Sequence, residues 1–214
     1  MEKKIAILGG TFNPIHYGHL RTAEEVRELC GLESIFFVPV NIPPHKYNQK
    51  LTPPEHRLKM VELAIKDNPF FILSDIEIKR GGISYTIDTV KELTEKGYRV
   101  SIITGSDQFN AIATWRSYTE LFQHADFVVV KRAGYRVKRL EECLPVEVAE
   151  KFWYDKAIDA YMNSFDHRVT YIDTTLLDIS SSDIRRRIKQ GLSVRYLLPP
   201  EVEEYIKTNR LYRD

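Results

Sequence analysis

Short apolar runs alternate with amphipathic stretches along most of the chain. Residues 4–8, with Ile5-Ala6-Ile7-Leu8, predict a buried parallel strand that Gly9-Gly10 ends. Leu20, Ala23, Val26, Leu29 and Cys30 follow at helical spacing, and Gly31 supplies the stop. Residues 34–39 predict a second strand, completing a right-handed βαβ unit. The prolines of 41–46 then force a loop. A helix over about 54–66 is expected, with Thr52 as its cap and Leu58, Val61, Leu63, Ala64 and Ile65 inward. Further strands are predicted at 70–73, 99–104, 127–130 and 169–172, and a short extended piece at 76–78. A helix over 86–96 should be capped by Ser84 or Thr86 and ended by Gly97. Two more helices close the chain, one running from about 180 to Gly191 and one opened by Pro199-Pro200-Glu201.

Alternation of this kind implies an α/β fold with a doubly wound parallel sheet, Rossmann-like in layout. Polar chemistry falls in six loops, 9–19, 41–46, 80–86, 104–107, 131–134 and 178–185, which such a sheet gathers along one edge. Repeats, low-complexity tracts and linkers are not evident, so 1–214 reads as a single domain with a helical part from about 180. Residues 135–168 break the rhythm. They set Phe152, Trp153, Tyr154, Tyr161 and Phe165 among charges, and a helix over about 146–162 is expected within what reads as an insertion.

Composition narrows the function classes. The 214 residues are 43% hydrophobic and 29% charged with a net charge of +1, so no overall field favours nucleic acid or a membrane surface. Apolar runs are of strand length, which leaves no transmembrane helix and points to a cytoplasmic protein. Cys30 and Cys143 match neither a metal spacing nor a secreted disulfide framework.

The first strand-end loop, Gly9-Gly10-Thr11-Phe12-Asn13-Pro14-Ile15-His16-Tyr17-Gly18-His19, lacks both the P-loop lysine pattern and Gly-x-Gly-x-x-Gly. It offers backbone amides at Gly10, Thr11 and Phe12, a helix N-terminus, and two imidazoles three residues apart. That set suits phosphate oxygens and contains no nucleophile, as a triphosphate clamp requires. Ile179-Ser180-Ser181-Ser182-Asp183-Ile184-Arg185 repeats the logic, with hydroxyls at a second helix N-terminus followed by a cation. Arg185, Arg186 and Arg187 are consecutive, so they cannot all face one ligand. His56, His124 and His167 have no motif around them and read as structural.

These residues resemble a known family. His-x-Gly-His after Gly-Gly looks like the first signature of the nucleotidylyltransferase superfamily, and 179–185 resembles its second. Ile42-Pro43-Pro44-His45-Lys46, Ser84-Tyr85-Thr86-Ile87-Asp88-Thr89, and Gly105-Ser106-Asp107 with Trp115 downstream resemble the bacterial nicotinate-nucleotide adenylyltransferase branch. The resemblance covers 1–132 and 168–214. Ser182 stands where the branch usually has Thr, Ser106 where a small apolar residue is common, and 135–168 is longer than expected. The resemblance implies adenylyl transfer from ATP to nicotinate mononucleotide, giving deamido-NAD and pyrophosphate, with Mg²⁺ carried by ATP. It implies that His16, His19 and Arg185 act in catalysis. Gly9, Gly10, Thr11, Phe12, Gly105, Asp107, Ser181 and Ser182 would bind ATP with them, Asp107 at the ribose. His45 and Lys46 would take the mononucleotide phosphate, and Ser84, Tyr85, Thr86, Trp115 and Arg116 the nicotinate. No protein-held metal, nucleic acid or membrane is implied, and a homo-oligomer is left open.

Overall fold

The computed structural model describes residues 3–44, 51–131 and 134–213. In chain order the elements are β1 (Lys3–Gly10), α1 (Tyr17–Leu29), β2 (Ser34–Pro39), α2 (Pro54–Ile65), β3 (Phe71–Leu73), α3 (Ile76–Arg80) and α4 (Thr86–Glu95). Next come β4 (Tyr98–Gly105), α5 (Ser106–Phe109), a 3₁₀ turn (Ile112–Thr114), α6 (Tyr118–His124) and β5 (Ala125–Val130). The remainder is α7 (Leu140–Cys143), α8 (Val146–Ala149), β6 (Phe152–Asp155), β7 (Ala160–Asn163), β8 (Arg168–Ile172), α9 (Ser181–Lys189) and α10 (Pro200–Thr208).

The strands form one sheet in the order β3-β2-β1-β4-β5-β8-β7-β6. The first six in that order run parallel. From β1 the chain winds outward to β3, then returns to place β4 on the other side of β1. The order therefore reverses between the carboxyl ends of β1 and β4, where Gly9-Gly10 and Gly105 lie, and such a reversal opens a ligand crevice. Strand residues alternate between two cores. Ile5, Ile7, Val100, Ile102, Phe127 and Val129 pack with Val90 of α4 and Leu121 of α6. Ala6, Ile35, Phe37, Ile103 and Val128 pack with Val26 of α1, Met60 of α2, Ile184 of α9 and Val202 of α10.

Residues 135–168 correct two expectations. No helix spans 146–162: α8 stops at Ala149, and β6 and β7 form an antiparallel hairpin paired onto β8. The sheet is thus mixed rather than wholly parallel. Phe152 and Tyr154 alternate along β6, and Tyr154 meets Tyr161 across the hairpin with ring centroids 5.3 Å apart. That is the period-two aromatic pairing of a strand, and it outweighs the helical spacing of neighbouring apolar residues. Asp126, at the amino end of β5, accepts the Arg168 N–H at 3.0 Å and lies 3.0 Å from His167 Nδ1. Burial alone would raise this carboxyl, but hydrogen bonds from His167 and Arg99 hold it below the usual carboxylate range.

Three smaller corrections concern helix starts. Residues 76–78 belong to α3 rather than to an extended piece; Gly81, at φ 73°, terminates the turn. Thr52 does not cap α2 with its side chain, and its carbonyl accepts from Arg57 Nε instead. Neither Ser84 nor Thr86 caps α4; the Ser84 hydroxyl accepts the Asn41 N–H at 2.9 Å.

Candidate active site

Two cavities adjoin at the carboxyl edge of the sheet. The first, of about 310 Å³, is walled by the β1–α1 loop, Gly105, and residues 174–185 ahead of and within α9. The second, of about 710 Å³, is walled by Pro43 and Pro44, residues 84–86, and the segment from Asp107 to Arg116. Gly9, Gly10, Thr11, Ile103 and Gln108 line both. A methyl group at Gly9 would meet nothing of the protein within 4 Å, so at this position the shared wall presents bare backbone to open space.

The first loop turns sharply through Phe12, at φ 46° in the left-handed region, and a cis Asn13-Pro14 bond. Burial of the Phe12 ring holds that conformation: it packs edge-on against His19, with centroids 5.1 Å apart, and against Phe37 of β2. His16 and His19 stack with centroids 3.7 Å apart. The His16 backbone N–H donates to His19 Nδ1 at 3.3 Å. A neutral His19 therefore carries its proton on Nε2, the nitrogen that can donate to a phosphoryl oxygen. Gly18 leaves room beside this pair: a Cβ there would lie 3.0 Å from His16 Nδ1, tight enough that the ring would have to shift.

The second signature folds onto the first. Ser180 caps α9 by accepting the Asp183 N–H at 3.1 Å. Ser181 Oγ donates to the Pro14 carbonyl at 2.8 Å, and Arg185 Nη1 to the Asn13 carbonyl at 2.7 Å. Of the three consecutive arginines, Arg185 turns to the cavity, while Arg186 and Arg187 pair with Asp183. Those two contacts, with arginines at both acidic oxygens, hold Asp183 below the usual carboxylate range.

The second cavity is held together across loops. Asn41 donates through its N–H to Ser84 Oγ and through Nδ2 to the Gly82 carbonyl, both at 2.9 Å, and the Ser84 N–H donates to the Ile42 carbonyl at 2.9 Å. The Arg116 guanidinium lies 4.4 Å over the Tyr85 ring. Trp115 is half-buried at the cavity wall.

Gly9, Gly10, Thr11, Phe12, His16, His19, Gly105, Ser181, Ser182 and Arg185 thus gather at the first cavity, and Ser84, Tyr85, Thr86, Trp115 and Arg116 at the second. Asp107, expected with Gly105, lines the second cavity rather than the first. His45 and Lys46 lie outside the described residues. The other histidines are engaged elsewhere: His56 Nδ1 lies 2.8 Å from the Tyr205 hydroxyl, and His124 lies 4.0 Å from Glu120. Sequence reading missed several contributors. Thr174 and Thr175 wall the first cavity, and Glu25 of α1 holds Thr175 by accepting its N–H at 2.6 Å and its hydroxyl at 2.5 Å. Glu77 lines the second cavity while 5% exposed. Arg57 of α2 is 1% exposed and bonded to loop carbonyls. Nothing in the sequence around these residues signals such contacts.

Among the described residues, no group of three or more His, Cys, Asp or Glu is placed to hold a metal ion, and no helix is long and apolar enough to cross a membrane. A Cytidylyltransferase-like family model matches residues 7–187. A Geotalea daltonii protein named "probable nicotinate-nucleotide adenylyltransferase" is 50% identical over 213 residues, 99% of each chain. A Citrifermentans bemidjiense protein of the same name is 47% identical over the same share of each chain. A Plasmodium falciparum nicotinic acid mononucleotide adenylyltransferase, solved in complex with NaAD, matches the fold with a TM-score of 0.74 at 22% identity, over 98% of this chain and 97% of its own. With two signatures folded onto one crevice and full-length relatives at this identity, the chain belongs to the nicotinate-nucleotide adenylyltransferase family.

Proposed function

We propose that this protein transfers the adenylyl group of ATP to nicotinate mononucleotide, giving deamido-NAD and releasing pyrophosphate in NAD biosynthesis. The observation that supports the reading is the pair of adjoining cavities that share the wall of Gly9, Gly10, Thr11, Ile103 and Gln108. Two nucleotides seated on either side would bring one phosphate against the other. The mononucleotide phosphate oxygen attacks the ATP α-phosphorus, and the bond from that phosphorus to the bridging oxygen of the leaving pyrophosphate breaks. Such a transfer needs alignment and charge stabilisation rather than a protein nucleophile. In this reading His19 donates from Nε2, with His16 stacked beside it, to oxygens on which negative charge builds. Ser182 and Arg185 hold the β and γ phosphates, while Ser181 and Arg185 also brace the first loop through Pro14 and Asn13. Gly105 takes the adenosine ribose. Asp107, lining the other cavity, stands close to the shared wall and accepts from a ribose hydroxyl.

On the second side Trp115 stacks on the nicotinate ring, and a backbone N–H near Thr86 or Arg116 meets its carboxylate. His45 and Lys46 take the mononucleotide phosphate. The described donor set of imidazoles, hydroxyls and a guanidinium suits phosphate oxygens rather than a divalent cation, which fits Mg²⁺ arriving on the triphosphate. When bound, that ion neutralises phosphate charge. The reading makes 1–214 one catalytic unit acting in the cytoplasm, with 135–168 an insertion at the far edge of the sheet.

The test is steady-state pyrophosphate release with nicotinate mononucleotide and with the amide, each with ATP and Mg²⁺. Preference for the acid is expected. A preference for the amide overturns the substrate, and ATP binding without turnover on any mononucleotide overturns the enzyme reading in favour of a nucleotide sensor.

A further inference from the structure

Arg57 lies in the first turns of α2, 1% exposed, with its guanidinium beneath the loops that wall both cavities. Nε donates to the Thr52 carbonyl at 2.9 Å. Nη1 donates to the Thr11 carbonyl at 3.1 Å and to the Val40 carbonyl at 2.7 Å, and Nη2 to the Asn41 carbonyl at 3.1 Å. All four acceptors are backbone, so the contacts fix the path of the chain rather than the identity of side chains. Those acceptors come from separate places. Thr11 lies in the wall shared by the two cavities, Val40 and Asn41 in the loop after β2, and Thr52 just ahead of α2.

The planar fork is suited to this task. It presents donors in fixed directions, whereas an ammonium on a flexible stem reaches one or two of the same carbonyls in no fixed orientation. The contact to Thr52 is local, but those to Thr11, Val40 and Asn41 span 46, 17 and 16 residues, separations for which no local turn substitutes. Asn41, held by Arg57 through its carbonyl, in turn holds Ser84 and Gly82. One side chain therefore links the shared wall to the loops of the second cavity.

We propose that Arg57 is a positioning residue for the transfer: by fixing Thr11 to Val40, Asn41 and Thr52, it sets how the two bound phosphates are aligned across the shared wall. The inference rests on the adenylyl-transfer reading above. Its signature is a split between turnover and binding. Alignment of two reactants is lost by small displacements that each substrate, bound alone, tolerates.

The experiment compares wild type with Arg57→Lys, which keeps the charge and loses the fork. Calorimetry measures the Kd of ATP alone and of nicotinate mononucleotide alone, and pyrophosphate release gives kcat. The expected result is a 10- to 100-fold fall in kcat, with each Kd within about threefold of wild type. Unchanged kcat overturns the proposal. So does a loss of turnover matched by equal weakening of either Kd, which would make Arg57 a residue that shapes a binding site rather than one that aligns the two substrates. If Arg57→Lys does not fold, Arg57→Gln, which retains two amide donors, is measured in its place. Failure of both to fold makes Arg57 a folding residue only and also overturns the proposal. Wild type itself separates the two readings: an inactive wild type sinks the functional assignment, while an active wild type matched by its variant sinks this inference alone.

Discussion

The two cavities share a wall and are built in different ways. The first is built around two continuous stretches, 9–19 and 179–185, each a strand end or loop running into a helix N-terminus, joined by Ser181 and Arg185 bonding to the carbonyls of Pro14 and Asn13. Its side chains carry chemistry that any nucleoside triphosphate would meet. The second is made from separate segments cross-linked through main chain, as where Asn41 meets Ser84 and Gly82 and Ser84 meets Ile42. Little of its wall beyond Trp115 and Arg116 announces a ligand class by residue type. The comparison separates reaction from recognition: damage to the first cavity should fall on kcat, and damage to the second on the KM of one substrate.

The largest effect should come from His19→Ala. It removes the Nε2 donor that the His16 N–H orients, and kcat should fall roughly 10²- to 10³-fold, the usual scale for one preorganised donor to developing charge. A well-folded variant with unchanged kcat would show that the stacked pair has been misread. Gly18→Ala is a subtler probe of the same site. The new methyl would lie 3.0 Å from His16 Nδ1, so the imidazole must yield by a few tenths of an ångström. About a tenfold loss of kcat is expected. Thermal stability should hold or rise, since alanine is the better helix former by up to about 1 kcal/mol. A melting temperature that falls along with activity would point to a misfolded turn and not to a displaced ring.

The second cavity should answer differently. Trp115→Ala removes the half-buried indole from its wall and should raise the KM for nicotinate mononucleotide about three- to tenfold, the scale of one aromatic stack. The KM for ATP should stay within twofold. Equal rises in both would break the division between the cavities and assign Trp115 to the common scaffold.

The same contrast explains what was legible in the sequence. The parallel strands and their order of appearance follow from short apolar runs, three of them (β1, β2 and β4) ended by glycine or proline. The first half of the site follows because His16, His19, Ser181, Ser182 and Arg185 stand in consecutive motifs whose chemistry is local. Arg57 was illegible: an arginine early in an amphipathic helix reads as a solvated charge until the fold brings four carbonyls to it. Glu25 was hidden for the same reason, its partner Thr175 being 150 residues away. The hairpin was misread because four-residue strands such as β6 are too short for alternation to outvote helical spacing. Residues 76–78 failed the opposite way, alternating like a strand while forming the first turn of α3.

The finest test addresses Glu77, which lines the second cavity at 5% exposure and accepts the Thr89 hydroxyl at 2.7 Å. Burial raises its carboxyl above the usual range; the Thr89 and Ser84 hydroxyls and Arg80 pull it back only in part, and Asp88 adds to the rise. A carboxyl whose pKa is higher folded than unfolded contributes stability that is fully present below the unfolded value. That contribution is lost as pH climbs through the folded value. Stability of the wild type should therefore carry a component that declines as pH rises from about 4.5 toward neutrality. Glu77→Gln keeps the acceptor for Thr89 and cannot ionise, so it should lack that component, while kcat/KM at neutral pH stays within about twofold. Denaturant midpoints of both proteins across pH 4–8 make the comparison. Identical pH slopes would mean that the carboxyl ionises as readily in the folded protein as in the unfolded chain, so that burial at this wall costs the charged form nothing. A steeper loss in the wild type would show that the recognition half, unlike the phosphate half, rests on a buried carboxyl that resists ionisation and that no motif marks.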